Sequence, residues 1–222
     1  MLRQQPDHAL ALSRLGYCYW QSGDDEEALC LYRRAIASHP GHLAVRLFLI
    51  QLTLQQSAAT ESLQQSIDDA LGRLQAQQNN LPPIVHRYYH QQLIGLQLSC
   101  WLKSEQSARA EDWLQSRQAD LDEEELLHWV IHCSIVLAEA DQHDQSEQLL
   151  RRWLGIFPDN GALLQQLAEL AQVQGRFLQA INLLRGALRS DPDKVGLWVR
   201  LTNACLNRID WQARHAAEKA VD

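Results

Sequence analysis

The chain reads as an all-α fold, a solenoid of antiparallel helix pairs, and three observations carry that reading. The first is composition: of 222 residues, 46% are hydrophobic and 21% charged, with only 10 Gly and 6 Pro. Such a chain can bury a core, and it holds too few turn residues for an all-β fold. The second is a period, since Pro6 and Pro40 stand 34 residues apart, as do Pro158 and Pro192. The third is the spacing of Leu12, Leu15, Gly16 and Tyr19, which at about 100° per residue fall on one helical face.

The elements follow in order. The first pair spans about 8–38. Gly16 and Ala28 are small where its two helices must approach closely, and Tyr32 fills the space beside them. Gly23 turns the chain, and Asp24, Asp25, Glu26 and Glu27 place negative charge on the next helix's N-terminal dipole. Pro40 stops the second helix. The second and third pairs, about 42–78 and 84–118, are degenerate. Arg46, Ser62, Gly95 and Ala108 give them only partial support, and the surplus length falls in Ala58–Gln78, in the Gln77–Pro83 connection and near Ser116–Asp122. The fourth pair, about 123–156, has Ser134 and Ser146 as its small residues, with Trp153 in place of another. The fifth, about 160–190, repeats the first: Leu164, Leu167, Ala168, Ala171, Gly175, Ala180, Leu184 and Ala187 lie between its prolines. A sixth pair is read over 194–220, where Ala213 and Ala220 are spaced as in a second helix. Five repeats around an irregular central insertion is the competing count. One pair cannot bury both its faces, so the pairs must stack, and 1–222 is read as a single array.

This order of large, small and aromatic positions resembles the tetratricopeptide repeat (TPR), a helix–turn–helix unit. Leu12 and Leu164 stand where that family often has Trp, whereas Trp198 matches. The resemblance implies a right-handed superhelix whose concave face binds a protein or peptide. Met1–Gln5 resembles the tail of a preceding repeat and no polar capping helix is evident, so both ends are expected to be open. A partner or a second copy, as a homodimer, is expected to cover one of them.

Charge and motifs narrow the function. Lys and Arg number 20 against 27 Asp and Glu, a net of −7, where phosphate binding favours a basic surplus; no nucleic-acid partner is expected. No signal-peptide run and no stretch of about 18 apolar residues occurs, so a cytoplasmic location without a membrane partner is expected. There is no GxSxG, HExxH, Walker loop or GxGxxG, and Asp68-Asp69 and Glu123-Glu124-Glu125 read as helix starts or solvated faces. The chain is therefore expected to be no enzyme and to need no cofactor. Cys18, Cys30, Cys100, Cys133 and Cys205 form no CxxC pair and read as buried core residues. His86/His90 and His128/His132 have the i, i+4 spacing of a chelate but lack a third ligand, so no metal is expected.

Binding residues follow from the register. Opposite the stacking face lie Leu10, Arg14, Tyr17 and Gln21, then Ala44, Phe48, Gln51 and Gln55 in the second pair. The fourth pair gives His128, His132, Ile135 and Glu139, the fifth Ala162, Gln166, Glu169 and Val173, and the sixth Gly196, Arg200, Asn203 and Asn207. Amides there can bond an extended peptide backbone whatever its sequence. The family's carboxylate clamp and asparagine ladder are both missing, so no named ligand carries over. Of the seven tryptophans, Trp20 and Trp129 lie toward helix flanks as candidate anchors, and Trp101, Trp113, Trp153, Trp198 and Trp211 read as core. The sequence thus reads as an interaction scaffold. The alternative is the substrate-recognition part of a larger or partnered modifying enzyme, since bacterial TPR regions occur joined to sulfotransferases, glycosyltransferases and oxygenases.

Overall fold

The computed structural model describes residues 8–56 and 60–219, the side chains of 213–219 excepted. Among the described residues every regular element is a helix: α1 (Ala9–Gln21), α2 (Asp25–Ser38), α3 (Leu43–Gln56), α4 (Glu61–Ala76), α5 (Pro83–Lys103), α6 (Ser107–Arg117), α7 (Glu123–Glu139), α8 (His143–Ile156), α9 (Gly161–Val173), α10 (Phe177–Ser190) and α11 (Val195–Lys219). The fold is all-α and built of successive helix pairs. Two expectations change. Val195–Lys219 is one continuous helix, where a pair was expected over 194–220 (Ala220 lies outside the described residues), and the chain divides into two compact units between Glu111 and Asp112. The sequence offers a reason for the first: between Gly196 and Lys219 it has neither Gly nor Pro, so nothing breaks the helix.

In the first unit each core layer takes a helix pair together with the next helix. Ala9, Leu12, Ala28, Leu31, Tyr32 and Ala35 of α1 and α2 meet Val45 and Leu52 of α3. The other face of α3, carrying Leu43, Leu47, Ile50 and Leu54, meets Leu63, Ile67, Ala70 and Leu74 of α4 and Leu93 and Cys100 of α5. Helix α3 is thus apolar on two sides because it is shared between layers. The middle departs from the repeat for a visible reason: Arg46, 34 residues after Leu12 and at its position in the repeat, spans to Asp69 of α4 at 2.7 Å, its Nε donating to the Pro40 carbonyl at 2.8 Å. Arg73 grips the same carboxylate and, with Arg46, holds Asp69 below its usual range. Asp68-Asp69 sits on an exposed face within α4, one of the two placements expected of it.

The second unit repeats the close contacts with different chemistry. Ala168 and Ala180 pack together across α9 and α10, with Leu184 beside them in a fully buried layer that Leu197 and Ala204 of α11 complete. In α7 and α8 the Ser146 hydroxyl donates to the Ser134 carbonyl at 2.9 Å, both residues being buried. Trp153 is fully buried and stacks on Phe157, so α8 holds bulk where α2 and α10 hold Ala35 and Ala187. Asp24 and Asp122 cap α2 and α7, each heading a run of three acidic residues in the first turn, which places those carboxylates on helix dipoles. The turns after α1 and α9 use Gly23 and Gly175 at positive φ, where the turns after α5 and α7 hold Glu105 and Asp141 in the same left-handed region.

Candidate functional site

In the first unit the register brings four aromatic rings together on α1, α2 and α3. Gly16 lets α2 approach so closely that an added Cβ would lie 2.8 Å from the Tyr32 ring. Tyr32 is buried and stacks on Phe48 at 5.8 Å between centroids. Tyr17 and Trp20 then complete a cluster over Phe48, at 5.8 and 6.0 Å, and meet each other edge to face at 6.1 Å. Tyr17 remains 44% exposed, while Trp20 and Phe48 are half-buried. The Tyr32 hydroxyl is buried with no hydrogen-bond partner among the described residues, and burial pushes its pKa up to about 12. Arg14 and Gln21 are exposed on the same helix as Tyr17, and Gln51 lies half-buried on α3 one turn from Phe48. The result is an apolar, aromatic surface edged by an arginine and amides.

In the second unit Glu169 and Arg200 form an ion pair between α9 and α11, and Gln165 donates to the same carboxylate at 3.1 Å. These two candidate residues therefore satisfy each other. Gln166 is half-buried beside them in sequence, and Asn203 is exposed on α11. His128 and His132 flank Trp129, with centroids 4.9 and 5.9 Å from it, His128 exposed and His132 half-buried. Trp129 itself is 4% exposed and meets Trp113 edge to face, so it belongs to the core and is no anchor. Trp198 and Trp211, read as core, are instead half exposed on α11. The Trp198 indole donates to the Pro192 carbonyl at 2.9 Å.

His86 and His90 lie nearly parallel, 6.2 Å apart at 14°. Among the described residues no three or more potential metal ligands gather. Both histidines line an open cleft of about 470 Å³ with Gln75, Gln78, Asn79, Pro83 and Arg87. Cys100 and Cys133 are buried as expected, but Cys18 and Cys30 are exposed and Cys205 is half-buried. The buried stripes of α1 and α2 run through Leu12 and Gly16 and through Ala28 and Tyr32, and Cys18 and Cys30 lie off them. Leu15, expected to face the stack, is 36% exposed for the same reason. No helix among the described residues is long and apolar enough to cross a membrane.

Comparisons with known proteins bear on the repeats. Family models described as tetratricopeptide repeat match residues 1–42 and 137–201. No curated protein matches the chain. Among solved structures it is similar to YrrB, described as a TPR protein with an unusual peptide-binding site, at 14% identity and a TM-score of 0.47 over 89% of this chain and 93% of that one. It is similar also to PilW, described as a widely conserved type IV pilus biogenesis factor, at 16% identity and a TM-score of 0.47 over 96% and 94%. A thermophilic TPR protein of Thermus thermophilus, TTC0263, has 19% identity and a TM-score of 0.40 over 89% and 99%. The segments matched by the family models hold the Gly16–Tyr32 contact, the buried layer of Ala168 and Leu184 and both glycine turns, and these two segments are tetratricopeptide repeats.

Proposed function

We propose that the chain is a non-catalytic protein-interaction scaffold that binds an extended peptide, with the Tyr17, Trp20 and Phe48 cluster of the first unit as its main anchor site. The observation that carries this reading is Tyr17, a large aromatic ring left 44% exposed above a packed aromatic floor. Rigid aromatics in such settings dominate binding energy because they bury much area at little entropic cost. Arg14, Gln21 and Gln51 supply donors and acceptors for a peptide backbone. The preferred ligand carries a proline, aromatic or aliphatic side chain that lies on the Tyr17–Phe48 surface. Glu169 and Arg200 contribute less, because a ligand would have to compete with their mutual ion pair. His128, His132, Gln166 and Asn203 form a second, weaker surface on the other unit.

Selection from a random peptide phage library tests the reading. Peptides recovered on the parent chain are expected to share one bulky apolar residue and to bind Tyr17→Ala at least tenfold more weakly, a loss of about 1.4 kcal/mol or more. The thermal midpoint of Tyr17→Ala should stay near the parent's. Peptides that bind Tyr17→Ala and Phe48→Leu as tightly as the parent would remove the site.

A further inference from the structure

Helix α11 has two apolar faces, and among the described residues only one of them is covered. Leu197 and Ala204, 1% and 0% exposed, complete the α9–α10 core. On the other side Val195, Val199, Leu206 and Ile209 are 73%, 53%, 55% and 61% exposed. With Thr202, also exposed, they are spaced 4, 3, 4 and 3 residues apart, the seam of a helix that packs along another helix. The first unit shows what such a seam does in this protein. Val45 and Leu52 of α3 face the preceding layer, as Leu197 and Ala204 do in α11, each 152 residues further on. By the same offset Leu43, Leu47, Ile50 and Leu54 correspond to Val195, Val199, Thr202 and Leu206. In α3 these four residues are buried against α4 and α5; in α11 the matching face is open.

We propose that the outer face of α11 pairs antiparallel with α11 of a second copy of this chain. The seam is self-complementary: with a two-fold axis near residue 204, Val199 meets Ile209 of the second copy and Thr202 meets its Leu206. An isologous contact of this kind closes on itself as a dimer. Charge does not oppose it. The positions bordering the seam, Gly196, Trp198, Asn203, Cys205, Asp210 and Gln212, hold one charge, Asp210, and the axis sets it opposite Trp198. The seam and Trp198 together expose on the order of 500 Å² of apolar side chain, and the polar borders of so long a helix bring the contact toward the roughly 800 Å² per partner of a standard interface. This dimer is independent of the peptide site, which lies on α1 and α3.

Sedimentation equilibrium of the 222-residue chain between about 5 and 200 μM tests it, at the micromolar affinities such areas reach at their weak end. The mass is expected to rise from the monomer's 25.4 kDa toward twice that value. Val199→Glu or Ile209→Lys alone should weaken association at least tenfold by placing a charge in the apolar seam. Each variant should keep the parent's helical circular dichroism, because both positions are exposed in the monomer. The double variant Val199→Glu/Ile209→Lys sets Glu against Lys across both halves of the dimer and should recover association. Leu178→Glu, an exposed apolar position on α10, serves as the control and should change nothing. A monomer across the whole range overturns the proposal and leaves the face to a helix of another protein. Failure of the double variant to recover association overturns the antiparallel pairing.

Discussion

At the scale of single residues, the repeat is a matching of small against large. Gly16 faces Tyr32, Ala168 and Leu184 share one buried layer, and the Ser146 hydroxyl bonds the Ser134 carbonyl. Glycine at 16 is needed because a Cβ there would lie 2.8 Å from the Tyr32 ring. Gly16→Ala should therefore destabilise the chain by about 1–3 kcal/mol, and should cost well under about 1 kcal/mol in a Tyr32→Leu background. Chemical denaturation of the four chains of that cycle checks it. A second residue-scale prediction concerns Glu147, which takes Arg176 at 2.5 Å and Arg151 at 2.5 Å. Chiefly the Arg176 hydrogen bond holds its carboxyl below the ordinary value of 4.5. A carboxylate depressed in the folded state contributes its full stability above its unfolded pKa and loses it as pH falls through the folded value. Stability measured from about pH 6 downward should thus fall more steeply in the parent than in Glu147→Gln, starting at about pH 4.5. Parallel curves would deny the contact a role.

At the scale of elements, what was legible in the sequence followed the chemistry of the contacts. The first and fifth pairs declare themselves because close helix approach requires small residues and the left-handed turn favours glycine at 23 and 175. The middle pairs hide the same geometry under different side chains. Arg46 holds the position of Leu12 and reaches across to Asp69, and Glu105 and Asp141 take the glycine's conformation at a cost of about 1–2 kcal/mol each. Alanine spacing over 194–220 imitates a helix pair, although no turn residue interrupts the stretch. Trp129 departs from its expected flank position because α7 buries more than one stripe, with Leu126, Leu127, Trp129, Val130 and Cys133 all inside. The candidate site was half legible: helical register exposes Tyr17, but the gathering of Trp20, Tyr32 and Phe48 beneath it depends on contacts between three helices. The two faces of α3 and α11 give a direct test at this scale. Leu47→Ala should cost about 2–5 kcal/mol, whereas Val199→Ala at the matching position of α11 should stay within about 0.5 kcal/mol at dilute concentrations.

At the scale of the whole molecule, the acidic balance has a definite disposition. Many carboxylates sit in first turns, on Asp25, Glu26 and Glu27 and on Glu123, Glu124 and Glu125, where they serve helix dipoles. Others, Asp69, Glu147 and Glu169, tie neighbouring helices through arginines. Much of the negative charge therefore has a structural use, and the apolar side chains exposed among the described residues include Tyr17 with its cluster in the first unit and the outer seam of α11 in the second. The ends proposed for those two surfaces differ, a peptide on the first and a second copy on the other. Hydrogen exchange with and without a selected peptide separates them. Slowed exchange should be confined to Ala9–Gln21 and Leu43–Gln56 and abolished by Tyr17→Ala, with α11 unchanged. Slowed exchange on α11 or on α2 and α4, with α1 and α3 untouched, would contradict a peptide site on the aromatic cluster.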